Sequence, residues 1–147
     1  MTSLERVNPI SASPPLAAFA LVNAGDLLPH EHVDPVRLRE LRERLTRDRI
    51  LYRPVIVDRE SRVILDGHHR VKLLGEFECA LVPVYMVDYP HPSIRVFARR
   101  PGITVDKLTV VRRGLRGDPF PPRTSRHVFA TPPPLRPTPL SVLEGNA

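Results

Sequence analysis

Cysteine, tryptophan, lysine and long apolar runs are scarce or missing in this sequence of 147 residues. The single cysteine, Cys79, excludes an internal disulfide and any metal cluster built on cysteine. Tryptophan is absent and aromatic residues make up 5%, which argues against a nucleic-acid surface built on stacked bases. No apolar run approaches the ~20 residues a membrane helix needs. Pro9, Pro14 and Pro15 interrupt the stretch where a signal peptide would carry its apolar core. The expectation is a soluble, cytoplasmic chain with no membrane partner. Lys72 and Lys107 are the only lysines among 22 basic residues, so nearly all the positive charge is guanidinium.

What is present fits a globular protein: 41% of residues are hydrophobic and 26% charged, enough for one compact domain with a modest core. The net charge is +6, a balance that suits phosphate, nucleic acid or small anionic metabolites. The 18 prolines, about twice the usual share, punctuate the chain.

Residues 1–16 lack periodicity and read as a flexible arm. The segment from Phe19 to Leu28 alternates like a first strand running into a turn, and Pro29 to Val33 follow as a loop. Asp34 and Pro35 predict a helix start, as N-cap and first helical residue. Leu38, Leu41 and Leu45 then repeat at helical spacing. The arginines at 37, 39, 42, 44, 47 and 49 predict a solvated face paired with Glu40 and Glu43. Val55–Val57 and Val63–Leu65 read as a hairpin across five polar residues, and a short helix follows to Gly75. Ala80 to Val87 reads as a strand that Pro83 assigns to an edge or a strand start, and Ser93 to Ala98 as another strand. Gly102 to Arg116 predicts a second helix, with Thr104 as N-cap, Leu108 and Val111 facing inward, and Gly117 as its stop. Residues 131–147 are proline-rich and read as a flexible tail.

The chemistry concentrates at Asp66-Gly67-His68-His69-Arg70, placed directly after an apolar strand. A glycine there permits close approach of backbone to ligand, and the free N–H groups of a starting helix attract anions. Arg70 adds a guanidinium suited to phosphate oxygens, His68 and His69 add donors, and Asp66 at the rim suits a divalent ion that bridges phosphates. The plainer alternative is an Asp-Gly turn with two exposed histidines.

The stretch from about Leu21 to Val96 resembles the N-terminal domain of the chromosome-partitioning protein ParB and its relatives, with Gly67-His68-His69-Arg70 matching the Gly-x-x-Arg core that holds nucleotide phosphates in that superfamily. Sulfiredoxin, a sister branch, has its catalytic cysteine just after the glycine; His68 stands there and Cys79 lies too far on, which excludes sulfiredoxin chemistry. The free serine kinase branch is more similar still. Leu28-Pro29-His30-Glu31 resembles its Leu-Pro-His-Glu loop, and the segment at 66–70 reproduces its Asp-Gly-His-His-Arg site. Pro121-Pro122-Arg123-Thr124-Ser125-Arg126-His127 resembles its Pro-Pro-Lys-Thr-Thr-Arg-His segment, with Arg123 and Ser125 in place of Lys and Thr.

The resemblance implies an α+β fold of the ParB/sulfiredoxin type, a small mixed sheet flanked by helices with a C-terminal helical extension. The domain would run from 17 to 130, with a core at 17–98 and a helix and substrate-site segment at 99–130. It implies a kinase that moves a phosphoryl group from ATP or ADP to the hydroxyl of free L-serine or a similar hydroxy amino acid. Glu31 would be the catalytic base, Asp66 would support Mg²⁺, Gly67, His68, His69 and Arg70 would bind nucleotide, and His30, Arg123, Thr124, Arg126 and His127 would bind substrate. Read without it, Glu31 is an exposed loop glutamate and residues 123–127 a solvated basic segment. Two other functions stand beside the kinase. A DNA-associated module of ParB type fits the arginine excess, but the proline-rich residues after Val96 leave little room for a helix-turn-helix domain. A noncatalytic nucleotide- or amino-acid-binding regulator lacks a reason to keep both Glu31 and Asp66.

Overall fold

The computed structural model describes residues 16–145. All but the last residue of the expected arm at 1–16 lies outside them, as do Asn146 and Ala147. In chain order the elements are β1 (Leu16–Asn23), a 3₁₀ turn (Ala24–Asp26), α1 (Pro35–Asp48), β2 (Ile50–Leu51), β3 (Val55–Asp58), β4 (Ile64–Asp66) and α2 (His68–Glu76). They continue with β5 (Leu81–Val87), β6 (Ile94–Ala98), α3 (Lys107–Arg116), β7 (Ser125–Phe129), β8 (Thr138–Pro139) and α4 (Leu140–Leu143). The fold class is α+β, as expected.

A mixed sheet in the order β1-β5-β3-β4 forms the centre, with β5 parallel to β3 and the other pairs antiparallel. Side chains alternate along β3: Val55 and Val57 join one apolar layer with Leu38 and Leu45 of α1 and Leu73 and Leu74 of α2. Ile56 points the opposite way, into a layer with Ile94, Val110 and Phe120. The sheet is therefore covered on both faces, which is why its strands read as continuous apolar runs. Gly114 sits where α3 meets the sheet; a Cβ there would lie 2.5 Å from Val63 Cγ2.

Three local readings change. Pro83 lies in the interior strand β5, not at an edge; pairing with β3 begins only at Val84, so the missing N–H falls ahead of that ladder. Asp106, not Thr104, caps α3, through a reciprocal capping box with Thr109. That start places Val110 and Gly114 inward and leaves Leu108 63% exposed.

Residues 138–143 also depart from the expected tail. β8 pairs with β2, matching Thr138 to Leu51 and Pro139 to Ile50. Leu140 and Leu143, a helical i, i+3 pair, are 1% and 0% exposed in the core layer under α1 and α2. The prolines of 132–137 dominate the composition of this segment and mask the short apolar repeat that follows them. Leu143→Ala should therefore lower unfolding stability by about 2–5 kcal/mol, the range for a buried leucine. Chemical denaturation checks this, and an unchanged midpoint would restore the tail reading.

Candidate active site

Glu31 occupies a loop stitched into the fold from two sides. Leu28 N–H donates to the Arg62 carbonyl and Ile64 N–H to the Leu28 carbonyl, at 3.0 and 2.8 Å. His32 N–H donates to the Phe120 carbonyl and Phe120 N–H to the His30 carbonyl, both at 2.8 Å. The Glu31 carboxylate then meets the segment after Phe120. Oε1 accepts from Ser125 N–H at 2.9 Å, Ser125 Oγ at 2.7 Å and Thr124 N–H at 3.3 Å, while Oε2 accepts from Arg123 N–H at 3.1 Å. Arg123 has φ +56°, so its left-handed backbone helps turn consecutive amides toward one anion. Oε1 is saturated and Oε2 retains a free lone pair.

Across the cavity, β4 runs into α2 through Gly67, whose φ is +113°. A Cβ at this position would lie 3.0 Å from Val55 Cγ2, so both the backbone conformation and the packing require glycine. The first amides of α2 lack helical partners. His68 and His69 begin the helix. His68 Nε2 accepts from His30 N–H at 3.2 Å, and His69 Nε2 accepts from Asp34 N–H at 3.0 Å.

These elements enclose a cavity of about 400 Å³. Glu31, Asp66, Gly67, His68, His69, Arg123, Arg126 and His127, all named from the sequence, line it together. Three other expected site residues do not. His30 is 0% exposed, with Nδ1 2.7 Å from the Ile64 carbonyl and Nε2 2.9 Å from Ser125 Oγ, so it supports the site from behind. Thr124 is equally buried and donates its hydroxyl to the Pro121 carbonyl at 2.7 Å, contributing only its amide. Arg70 donates to the carbonyls of Arg53 and Pro54, both at 2.9 Å, and to Asp66 Oδ2 at 3.2 Å. Its guanidinium ties the first turn of α2 to the β2–β3 connection. It lines a second cavity of about 310 Å³, which shares Asp66, Arg126 and His127 with the first and is walled by Phe129 and Pro132 to Pro134.

Sequence reasoning missed Arg37, Asp34, Ser125 and Arg99 as cavity residues. Arg37 belonged to the supposed solvated face; it pairs with Glu40 at 3.7 Å and still reaches the cavity from the first turn of α1. Elsewhere on that face Arg42 binds Glu76 of α2 at 2.8 Å rather than a helix neighbour. Asp34 was legible only as a cap, which it is, accepting from Val36 N–H at 3.0 Å. It also lies 3.6 Å from Arg123 Nε. Arg99 enters through the β6–β7 pairing, where Ala98 is opposite Ser125, a long-range register that carries no local signal.

The deep part of the site is uncharged. Burial holds His30 below the ordinary histidine range, against the raising influence of the Ile64 carbonyl and Glu31. Burial pushes His68 well below it, assisted by His30 and His127. Burial lowers His127 to about 3, with its Nε2 2.8 Å from the Tyr89 hydroxyl. The Tyr89 phenol is itself raised by burial and stays protonated.

The chain shares its fold with a free serine kinase solved with AMP: the two superpose at a TM-score of 0.76, covering 89% of this chain and 96% of that one at 15% identity. Sequence relatives sharpen this likeness. An ATP-dependent L-serine kinase of Staphylothermus marinus is 29% identical over 104 residues, 65% of this chain and 41% of that protein. A ParB-like protein of Sulfolobus acidocaldarius is 37% identical over 75 residues, 51% of this chain and 37% of that protein. The chain thus spans about two fifths of the length of the curated relatives it matches. No protein-family model matches the sequence.

Two outcomes test this geometry. The folded His127 binds its proton only near pH 3 while an unfolded histidine binds it near pH 6.5, so the unfolded state gains protons across that window. Unfolding free energy should fall as pH drops below about 6.5, by up to about 1.4 kcal/mol per pH unit for each such histidine, with His30 acting in the same direction. His127→Phe should flatten the profile measured by denaturant titration. Gly67→Ala should destabilise by about 1–3 kcal/mol, from the positive φ and the Val55 contact, as thermal unfolding would show.

Proposed function

We propose that this chain is a cytoplasmic phosphotransferase that moves a phosphoryl group from ATP or ADP to the hydroxyl of free L-serine or a similar hydroxy amino acid, giving O-phosphoserine or its analogue. The observation that carries this reading is Glu31: a carboxylate immobilised by three amides and a hydroxyl, with one oxygen still free to accept, facing a helix N-terminus across a single cavity. The serine kinase names of a sequence relative and of a structural neighbour support it.

Phosphoryl transfer needs a clamp for the donor, neutralisation of the moving group and an oriented acceptor. The unpaired amides of α2, with His68 and His69, hold the donor phosphates. The acceptor hydroxyl sits against Glu31 Oε2 and yields its proton there as the new O–P bond forms; in a loose transition state orientation matters more than basicity. Arg99 and Arg126 face the cavity with no carboxylate in ion-pair distance among the described residues, whereas Arg123 and Arg37 have Asp34 and Glu40. These two guanidinium groups take the charges that arrive with the ligands. Arg99 follows β6 beside the segment that holds Glu31, its N–H donating to the Thr124 carbonyl at 2.7 Å, so it receives the acceptor's carboxylate in bidentate fashion.

Asp66 fits a cation that arrives with the nucleotide. Among the described residues only its Oδ2 is engaged, by Arg70, and no cluster of three or more histidine, cysteine or acidic side chains could hold a metal alone. One carboxylate with phosphate oxygens and water is a normal Mg²⁺ environment. Bound there, Mg²⁺ would neutralise phosphate charge. None of the described helices is long and apolar enough to cross a bilayer.

The direct test mixes the protein with Mg²⁺, ATP or ADP and a panel of hydroxy amino acids, followed by phosphorus NMR. A phosphomonoester that requires L-serine or a close analogue supports the reading. Nucleotide binding without any product would favour the second reading, a ParB-like nucleotide-binding regulator, which the Sulfolobus relative's name supports. For Arg99→Ala the expected outcome is a KM for the acceptor raised about tenfold or more, as for a lost charge-assisted contact. Nucleotide affinity should remain within about threefold, far below the tenfold that such a contact is worth, by calorimetry.

A further inference from the structure

Among the described residues, His68 and His69 each make one side-chain hydrogen bond, through Nε2, and in both cases the partner is a backbone amide of the segment that carries Glu31. His30 N–H lies immediately before Glu31, and Asp34 N–H three residues after it. A backbone N–H can only donate, so both Nε2 atoms must be unprotonated acceptors. Each ring is then neutral with its proton on Nδ1, and neither Nδ1 has a partner among the described residues. Both rings line the cavity at the start of α2.

We propose that His68 and His69 are positioning residues for Glu31: each ring latches the Glu31 segment through Nε2 and presents Nδ1–H to a phosphoryl oxygen, so that a bound phosphate tightens the hold on the base. An acceptor drawing on Nδ1–H increases the electron density at Nε2 and strengthens its bond to the amide, the cooperativity of linked hydrogen bonds. Coupling of this kind is reciprocal, so an ordered Glu31 segment also favours phosphate. The arrangement explains why two adjacent histidines occupy the helix start. Their Nε2 acceptors reach amides four residues apart in one loop, which a lysine or arginine could not accept. The proposal rests on the reading that the cavity takes a polyphosphate.

Inorganic pyrophosphate is the probe, which makes the test independent of catalysis. Nitrogen-15 NMR of the imidazoles should show both rings as Nδ1–H tautomers before addition. Pyrophosphate should then shift the Nδ1 resonances and slow hydrogen exchange at the His30 and Asp34 amides by about tenfold, the factor for a modest strengthening of one hydrogen bond. Two variants separate the functions of one ring. His69→Gln keeps an acceptor at the Nε2 position; it should retain protection of the Asp34 amide and weaken pyrophosphate binding about tenfold. His69→Asn keeps a donor near Nδ1; it should lose that protection while its pyrophosphate affinity changes less than about threefold, well short of a tenfold step. A ring found protonated on Nε2 overturns the proposal, as does pyrophosphate that binds without affecting these amides. A purely structural role predicts that both variants lose protection and affinity together, and that result also overturns it. Complete failure of pyrophosphate to bind overturns the polyphosphate reading itself, and the coupling with it.

Discussion

The site depends on one carboxylate held in a ring of amides. Glu31 takes hydrogen bonds from Arg123, Thr124 and Ser125 amides, 92 to 94 residues further along the chain. That grip brings the loop before α1 and the segment before β7 to one point, opposite the start of α2. The hold is itself anchored in the core. Phe120, 1% exposed, exchanges backbone bonds with His30 and His32 on either side of Glu31. The left-handed residue at 123 carries a cost that L-residues normally avoid. The amide ring that it completes gives that conformation a purpose, as strained backbone at a site often has.

Charge is distributed by depth. Burial keeps His30, His68 and His127 neutral in the floor, beside a Tyr89 phenol that stays protonated. The guanidinium groups of Arg99, Arg123 and Arg126 stand at the exposed rim. A low-dielectric floor of neutral donors would strengthen each hydrogen bond to an anion, and exposed cations at the mouth would attract it. On the surface of α1, by contrast, Arg42 and Arg47 are tied to Glu76 and Asp48.

How much the sequence disclosed follows from how local each signal is. Asp34-Pro35 marks the start of α1, and Gly117, with φ +68°, marks the end of α3, because caps and stops act within one turn. The segment at 66–70 was legible because its glycine, histidines and acid are contiguous. Arg70 was legible as a guanidinium beside the site, but not its contacts, because the carbonyls it binds belong to Arg53 and Pro54, on a different connection. The burial of His30 was hidden for the same reason, since its partners at Ile64 and Ser125 lie 34 and 95 residues away. Arg99 was invisible until strand register placed it. The tail misled through composition: prolines outweighed the Leu140 and Leu143 pair, although two buried leucines decide whether a segment docks.

The likeness to serine kinases and the geometry around Glu31 meet in one claim, that this carboxylate receives the acceptor proton while other groups hold the nucleotide. Glu31→Gln preserves size and leaves the α2 clamp in place while removing the proton acceptor. Its most direct examination is rapid-quench measurement of phosphoryl transfer to L-serine on that variant, alongside calorimetry of nucleotide binding. The account predicts transfer reduced by about 10²–10⁴-fold, the usual contribution of a positioned base, with nucleotide affinity essentially retained. Transfer at the wild-type rate would contradict it.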